Sequence, residues 1–358
     1  MTPRLPYSLI LGVASALVTV FLVPLAMRLA LRIGAVAQPG ARHVHRDPVP
    51  RLGGLAMAAG VLGVSWACYL LPGPAHHLDP RFLLGLTLAS IPILALGVVD
   101  DARGTSPLAK LGVQACAAVV LAQYGFGVHV VTNPLGDPIA AGWLNLPLTI
   151  VWVLVVTNAI NLIDGLDGLA AGVVLIAAMT LWWTGRVHQD FYVMFLAAPL
   201  AGATLGFLRW NFPRARAFMG DTGSQFLGLA LAAISLLENR KGTATVTLLL
   251  PLVALFLPIA DGVLAFARRA ASGEPVFRAD SSHIHHRLLH LGLSPRNATL
   301  LMWGVSLALA LVAIALEGRP RRAGWITLAS LAAVLWIAFE VLEGVERRRR
   351  RSTSTSSS

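Results

Sequence analysis

The segment from Asn158 to Gly168 reads Asn-Ala-Ile-Asn-Leu-Ile-Asp-Gly-Leu-Asp-Gly, and it separates two apolar runs, 143–157 and 169–184. Its four polar side chains are spaced three residues apart: Asn158, Asn161, Asp164 and Asp167. This spacing places successive members on roughly one side of a helical turn. Ionisable groups at membrane depth are costly and usually mark a functional site. The segment therefore predicts a polar site between two membrane spans; the alternative is a plain polar turn at the membrane rim.

The composition of the 358-residue chain is that of a polytopic membrane protein. Hydrophobic residues make up 56% of the chain, charged residues make up only 13%, and the mean hydropathy is +0.72. Soluble domains carry about 25% charged residues. The net charge of +11 does not indicate nucleic-acid binding, because the basic residues are spread over the loops between apolar runs. In such loops they set the orientation of the protein in the membrane.

Apolar runs bounded by proline, glycine and charged residues predict an all-α fold of about eleven transmembrane helices. The predicted spans are 8–31, 53–71, 81–99, 107–122, 143–160, 168–185, 191–210, 223–237, 243–267, 298–316 and 323–342. We expect residues 1–346 to form one integral membrane domain and residues 347–358 to be a disordered basic, Ser/Thr-rich tail. The loop 125–142 contains turn signals that predict a short β-hairpin.

The distribution of basic residues predicts the orientation of these spans. With the N-terminus outside and the C-terminus in the cytoplasm, 20 of the 28 Lys and Arg residues fall on the cytoplasmic side. The positive-inside rule favours this topology. It places the polar segment 158–168 and three further polar motifs, at 100–101, 221 and 283–286, on the cytoplasmic face. We therefore expect the active site on that face.

Two adjacent carboxylates, Asp100 and Asp101, end the third predicted span. At a helix C-terminus they repel each other and the negative end of the helix dipole, so they need a nearby cation unless they are solvated. Lys110, near the same face, either snorkels to the interface or offers its charge to a phosphate. Asp221 precedes the eighth span, as a helix N-cap or as an oxygen ligand of Mg²⁺.

The longest predicted cytoplasmic loop contains His283-Ile-His285-His286-Arg287. Adjacent histidines rarely converge on one metal, so a three-histidine zinc site is disfavoured. Histidines beside an arginine are better suited to anionic oxygens, the alternative being solvated loop residues. Together the motifs predict a cytoplasm-facing Mg²⁺ site with phosphate-binding cations, open to lipid. This indicates phosphoryl transfer between a soluble nucleotide compound and a lipid phosphate.

The chain resembles the polyprenyl-phosphate N-acetylhexosamine-1-phosphate transferases, and within them the WecA/TagO-like branch. Five motifs carry the resemblance in order along most of the chain: Val49–Gly54, Asp100-Asp101, Asn158–Gly168, Phe218–Ser224 and His283–Leu288. The resemblance implies transfer of a sugar-1-phosphate, with GlcNAc-1-phosphate favoured, from a UDP-sugar to undecaprenyl or another polyprenyl phosphate, releasing UMP. It further implies the first membrane step of cell-envelope glycan synthesis, at the bacterial inner membrane.

The resemblance also implies roles for individual residues. Catalysis is expected of Asp100, of Asp101 beside it, and of Asp221. Mg²⁺, or Mn²⁺ in its place, is expected at Asp221, Asn161 and Asp164. Uridine is expected at Gly165, Leu166, Asp167 and Phe218. Phosphate groups are expected at Lys110, His283, His285, His286 and Arg287.

The nearest alternative is the MraY-like branch, which uses UDP-MurNAc-pentapeptide. Members of that branch typically carry three consecutive histidines in the last cytoplasmic loop, where this chain has His-Ile-His-His-Arg. A CDP-alcohol phosphotransferase lacks support because residues 169–173 supply no further aspartates, and an intramembrane aspartyl protease lacks its first glycine before Gly220-Asp221. A membrane transporter is the non-enzyme alternative, and the sequence leaves a homodimer open.

Overall fold

The structure is a computed structural model that describes residues 4–37, 48–131, 139–239, 287–289 and 291–316. Nine of the eleven predicted spans coincide with helices in these ranges. The predicted spans 243–267 and 323–342 and the predicted tail lie outside the described residues. Within the described part of the chain, seven helical segments are long and apolar enough to cross a membrane. The prediction of a polytopic, mainly helical membrane protein is therefore confirmed.

The α-helices of the described residues are numbered in chain order. They are α1 (Arg4–Ile33), α2 (Gly53–Ala58), α3 (Val64–Leu70), α4 (Arg81–Arg103), α5 (Pro107–Gln123), α6 (Asn145–Ile163), α7 (Leu169–Val187), α8 (Phe191–Asn211), α9 (Gly220–Asn239) and α10 (Pro295–Leu316). A π-helical segment, Ala59–Gly63, joins α2 to α3, so that Gly53–Leu70 form one continuous helical rod.

Two small antiparallel hairpins accompany the helices. Strand β3 (Val130–Val131) pairs with β4 (Ile139–Ala140), which confirms the hairpin predicted between the fourth and fifth spans. Strand β1 (Val36–Ala37) pairs with β2 (Val49–Pro50) and was not predicted, because two-residue strands have no periodicity that a sequence could reveal.

The chain just after β2 pairs with the entrance to α9. The amide of Phe218 donates to the carbonyl of Pro50, and the amides of Gly53 and Gly54 donate to the carbonyls of Phe218 and Met219. These hydrogen bonds fix the start of α2 against the start of α9. They explain why the motifs Val49–Gly54 and Phe218–Ser224, distant in sequence, belong to one region of the molecule.

Helix α9 is the central helix of the described bundle. It packs against α2, α4, α6, α7 and α8. Its side chains are buried from Thr222 to Leu237 without interruption. This burial places α9 in the interior of the described bundle, and Asp221, in its first turn, is partly exposed at one bundle end.

Small residues let other helices approach α9 closely. A Cβ placed on Gly54 of α2 would overlap the backbone of Gly223. A Cβ on Gly97 of α4 would overlap the backbone of Thr222. Close backbone approach at small residues is the usual basis of helix packing in membranes, where the hydrophobic effect does not drive helices together.

Helix α1 lies at the periphery of the bundle and packs against α8. One face of α1 carries large exposed apolar side chains: Leu9, Ile10, Val13, Leu17, Phe21 and Leu25. A contiguous exposed apolar face of this kind is unusual in a soluble protein. It is the surface expected of a helix in contact with lipid.

We predict that Gly54→Ala destabilises the protein, because the added methyl group forces α2 away from the Gly223 backbone. Overpacking of this kind typically costs about 1–3 kcal/mol. Gly63→Ala is the matched control on the same helical rod, since nothing lies within 4 Å of a Cβ added there. Thermal unfolding in detergent should show a lower midpoint for Gly54→Ala only. Equal midpoints for the two variants would contradict the described contact.

Candidate active site

Lys110 lies between two carboxylates at one end of the bundle. Its ammonium nitrogen is 2.8 Å from Oδ2 of Asp100, near the end of α4, and 2.5 Å from Oδ2 of Asp221, in the first turn of α9. The three side chains are between 12% and 25% exposed, so their charges are only partly hydrated. Because two negative charges face one positive charge, the cluster retains excess negative charge.

Local features of the chain place Asp100 and Lys110 in this cluster. Thr105 donates to Oδ1 of Asp100 from its backbone nitrogen at 2.7 Å and from its hydroxyl at 2.5 Å. Ser106 caps α5 by accepting the amide of Ala109, and Pro107 occupies the first turn, where its missing N–H is not needed. Lys110 therefore sits in the first turn of α5, facing the end of α4.

Asp101 has different contacts from its neighbour Asp100, because it caps the start of α9. Its Oδ1 accepts the amide of Asp221 at 2.9 Å, and its Oδ2 accepts the amide and the hydroxyl of Thr222 at 3.0 and 2.7 Å. A carboxylate at a helix N-terminus satisfies free N–H groups and complements the helix dipole. Gly220 makes this approach feasible, because it adopts φ +68° and a Cβ there would overlap the Asp101 carboxylate.

The polar segment 158–168 contains the end of α6 and leads to the same region. Oδ1 of Asn161 accepts the hydroxyl of Ser224, on α9, at 2.6 Å. Burial, followed by repulsion from the carboxylates of Asp221 and Asp101, raises the pKa of Asp164 to about 8, while the charge of Arg51 acts in the opposite direction. Burial and the neighbouring carboxylates therefore disfavour the ionised form of Asp164, and a cation beside it would favour that form.

The turn after Asp164 is tied to the connection between α8 and α9. Oδ2 of Asp167 accepts the amide of Ala215 at 2.9 Å. Asn211 accepts the amide of Gly168 at 2.8 Å and donates to the carbonyl of Ala217 at 2.9 Å. Through these bonds the structure brings the turn containing Gly165, Leu166 and Asp167 together with the segment that leads into Phe218.

The predicted phosphate-binding loop is described only in part. Arg287 is buried, with an exposed fraction of 8%, at the start of a short helical turn. His283, His285 and His286 lie outside the described residues, so their predicted contacts with phosphate stay predictions. Of the predicted site residues, the structure brings together Asp100, Asp101, Lys110, Asn161, Asp164 and Asp221.

Several residues of the cluster were not identified from the sequence. They are Thr105, Gln114, Thr222, Ser224 and Gln225. Gln114 and Gln225 follow Lys110 and Asp221 by four residues, which places each pair on one helix face. That spacing is a sequence signal that could have found them. Thr105 and Thr222 carry no comparable signal, because Ser and Thr occur at many helix ends for capping alone.

The oxygen atoms of the cluster suit Mg²⁺. Among the described residues no three His, Cys, Asp or Glu side chains are placed as ligands of one metal ion. Mg²⁺ does not require such a set, because it is usually held by one or two carboxylates together with water and substrate phosphates. Asp221, Asn161 and Asp164 offer carboxylate and amide oxygens beside excess negative charge. These residues fit an Mg²⁺ ion whose coordination is completed by a phosphate substrate.

Comparison with known proteins extends the similarity over most of the chain. Residues 83–239 match glycosyl transferase family 4. A probable undecaprenyl-phosphate N-acetylglucosaminyl 1-phosphate transferase of Bacillus subtilis (strain 168) is 36% identical over 306 residues, covering 85% of this chain and 84% of the relative. A decaprenyl-phosphate N-acetylglucosaminephosphotransferase of Mycobacterium leprae (strain TN) is 38% identical over 321 residues, covering 82% and 80%. A phospho-N-acetylmuramoyl-pentapeptide-transferase of Synechococcus sp. (strain RCC307) is 35% identical over 306 residues, covering 80% and 82%.

We predict that Asp101→Asn destabilises α9. Both carboxylate oxygens of Asp101 accept hydrogen bonds from N–H groups of α9. The NH₂ group of an asparagine would replace one of these oxygens and would face an N–H donor. An unsatisfied buried donor typically costs about 1–3 kcal/mol. Asp79→Asn is the control, since Oδ1 of Asp79 accepts the amide of Arg81 at the start of α4 and the exposed side chain can present its amide NH₂ group to water. Thermal unfolding in detergent should show the larger loss for Asp101→Asn. A loss no larger than that of Asp79→Asn would contradict the capping role.

Proposed function

We propose a reaction for this chain from one premise: it belongs to glycosyl transferase family 4. This membership confirms the resemblance carried by the five sequence motifs. We infer that the chain transfers N-acetylglucosamine 1-phosphate from UDP-N-acetylglucosamine to polyprenyl phosphate, giving polyprenyl-diphosphate-N-acetylglucosamine and UMP. The relatives from Bacillus subtilis and Mycobacterium leprae are named for a transfer of this type.

The observation that supports the proposal most strongly is the charge cluster around Lys110. An ammonium shared by Asp100 and Asp221 lies at the end of a helical bundle whose outer face is apolar. Such a position is accessible both to a water-soluble nucleotide and to the phosphate of a lipid whose chains remain in the membrane. The relatives are named as transferases, and this similarity favours an enzyme over a membrane transporter.

The proposed chemistry is a displacement at phosphorus. An oxygen of the polyprenyl phosphate attacks the β-phosphorus of the UDP-sugar, and the bond to the oxygen that bridges the two phosphorus atoms breaks. UMP leaves with that oxygen and its electron pair. A phosphate monoester has a second pKa of about 6, so the attacking group is largely dianionic at neutral pH. The reaction therefore depends mainly on alignment and on neutralisation of negative charge.

The contacts of the cluster suggest how its residues share this task. Lys110 offers an ammonium to a phosphate oxygen, a contact for which its compact charge is suited. Asp100, held by Thr105 and Lys110, orients that ammonium, and Asp101 positions the first turn of α9. We assign Asp221, Asn161 and Asp164 as the residues that would hold Mg²⁺. When bound, Mg²⁺ supplies neutralisation of the negative charge on the diphosphate.

The turn after α6 is proposed as the uridine site. Gly165, Leu166 and Asp167 lie in that turn, and Asp167 is bonded to the connection that leads to Phe218. Because the same turn follows Asp164, a nucleotide bound there would direct its phosphates towards the charge cluster. The donor side of the site would then be built from α6, α9 and the connection between α8 and α9.

We also propose that the site faces the cytoplasm, in a protein of the bacterial inner membrane. This orientation is supported by the 20 of 28 basic residues that it places on the cytoplasmic side. It agrees with the chemistry, since UDP-sugars are charged and do not cross a bilayer unaided.

A second candidate donor is UDP-MurNAc-pentapeptide. It is favoured by the 35% identity to the Synechococcus phospho-N-acetylmuramoyl-pentapeptide-transferase, which is close to the identities of the other relatives. We favour UDP-N-acetylglucosamine because the sequence His-Ile-His-His-Arg at 283–287 departs from the three consecutive histidines of that branch.

We predict that the purified protein, supplied with undecaprenyl phosphate and Mg²⁺, releases UMP from UDP-N-acetylglucosamine. The rate should exceed that with UDP-MurNAc-pentapeptide by at least about tenfold, a barrier difference of ~1.4 kcal/mol.

In sealed membrane vesicles, UDP-sugar added outside should be used by inside-out vesicles and not by right-side-out ones. Chelation of Mg²⁺ should stop the reaction, and added Mg²⁺ or Mn²⁺ should restore it.

Each outcome bears on a different part of the proposal. Faster release with UDP-MurNAc-pentapeptide would place the chain in the peptidoglycan branch. Absence of UMP with either donor would contradict the transferase reaction, and turnover by right-side-out vesicles would contradict the orientation. Full activity after chelation would contradict the metal requirement.

A further inference from the structure

A row of three amide side chains, two of them buried, runs from Asp221 into the bundle. Gln225 lies one turn after Asp221 on α9, and its Nε2 donates to Oδ2 of Asp221 at 3.3 Å. Oε1 of Gln225 accepts Nε2 of Gln114, on α5, at 3.4 Å. Oε1 of Gln114 accepts Nδ2 of Asn158, on α6, at 2.7 Å, and that nitrogen also donates to the carbonyl of Leu154 at 2.8 Å. We call Gln225, Gln114 and Asn158 the amide row.

The amide row contains a second contact between α5 and α9, one helical turn below the contact between Lys110 and Asp221. Gln114 follows Lys110 by four residues on α5, and Gln225 follows Asp221 by four residues on α9. Residues four apart share one helix face, so the pair Gln114–Gln225 lies directly beneath the pair Lys110–Asp221. Helices α4 and α6, which each pack against both α5 and α9, hold these two helices in place. The deeper pair adds a side-chain contact below the one between the ammonium and the carboxylate.

The direction of the amide row is set by its two ends. A carboxylate only accepts hydrogen bonds, so Gln225 must present its NH₂ group to Asp221 and its carbonyl oxygen to Gln114. The other end is anchored on the backbone of Leu154 through Asn158. Oδ2 of Asp221 receives both Gln225 and the ammonium of Lys110. The orientation of this carboxylate is thus specified from below by Gln225 and from the rim by Lys110.

The burial of these amides argues against a purely structural role. Gln225 and Gln114 have exposed fractions of 0% and 1%. A buried amide needs hydrogen-bond partners to offset its desolvation, and replacing both partners of such a pair with apolar groups is often nearly neutral for stability. Apolar side chains would therefore join α5 to α9 equally well. An orienting function explains why polar groups stand there instead.

We propose that Gln225 and Gln114 are positioning residues that hold Asp221 in the orientation needed to bind Mg²⁺ with Asn161. The inference rests on the proposed function for the identity of the metal. Asn161 follows Asn158 by three residues on α6, so the amide row joins the three helices that carry Lys110, Asp221 and Asn161. Neither glutamine touches the reacting groups, and both act through Asp221.

The test uses Gln225→Met, Gln114→Met and the double variant, with Ser235→Ala as control. Ser235 accepts the indole N–H of Trp152 at 2.9 Å, a buried α6–α9 hydrogen bond about four helical turns from Asp221. The thermal unfolding midpoint of the full chain in detergent, first stripped of metal, is measured against MgCl₂ concentration. Loss of groups that orient a metal ligand typically weakens metal affinity 10–100-fold.

The expected result is an Mg²⁺ concentration for half-maximal stabilisation that rises at least about tenfold in both single variants and in the double variant alike. The double variant should regain much of the metal-free stability that each single variant loses, because it leaves no glutamine unpaired. Ser235→Ala should lower the unfolding midpoint and leave the half-maximal Mg²⁺ concentration within about twofold of wild type.

A half-maximal Mg²⁺ concentration in the double variant within about twofold of wild type would overturn the positioning role. Absence of any Mg²⁺ stabilisation in the wild-type chain would overturn it as well. UMP release from UDP-N-acetylglucosamine, assayed on the same preparations, reports the proposed function separately. A wild-type chain that binds Mg²⁺ but releases no UMP would refute the reaction and leave the positioning result standing.

Discussion

The ammonium of Lys110, shared by the carboxylates of Asp100 and Asp221, is the contact on which the candidate site depends. Charges at the end of an apolar bundle are poorly hydrated, so each needs a partner of opposite sign or a set of hydrogen bonds. One lysine between two carboxylates joins the end of α4 to the starts of α5 and α9. Under the proposed function, a divalent metal ion would neutralise the remaining negative charge.

The other described contacts of α9 hold its first turn, which carries Asp221, beside Lys110. Its first turn is held by the carboxylate of Asp101 and by pairing between the segments around Gly53 and Phe218. Its length is enclosed by helices that approach closely at Gly54 and Gly97. The amide row links the interior of the bundle to the carboxylate of Asp221.

The sequence predicted the helices well because membrane spans are long apolar runs, and it predicted the polar cluster because charged groups are rare among such runs. It did not distinguish Asp100 from Asp101. Neighbouring residues on a helix point about 100° apart, so Asp100 reaches Lys110 while Asp101 reaches α9, and no property of the dipeptide reveals which does which. Gln114 and Gln225 were not predicted as site residues, although Gln114 follows Lys110 and Gln225 follows Asp221 by four residues in the sequence. The roles expected of His283, His285 and His286 stay predictions, as does the division into a membrane domain and a tail.

The most direct test of the site is UMP release by Asp221→Asn, compared with wild type over a range of Mg²⁺ concentrations. The asparagine keeps the shape of the side chain and an oxygen that can accept from Lys110, and it removes the negative charge. The proposed role predicts a fall of at least about 100-fold in rate at saturating substrates, a barrier increase of ~2.7 kcal/mol, with the thermal unfolding midpoint close to that of wild type. A rate within about tenfold of wild type, or ~1.4 kcal/mol, would show that Asp221 serves only to begin α9.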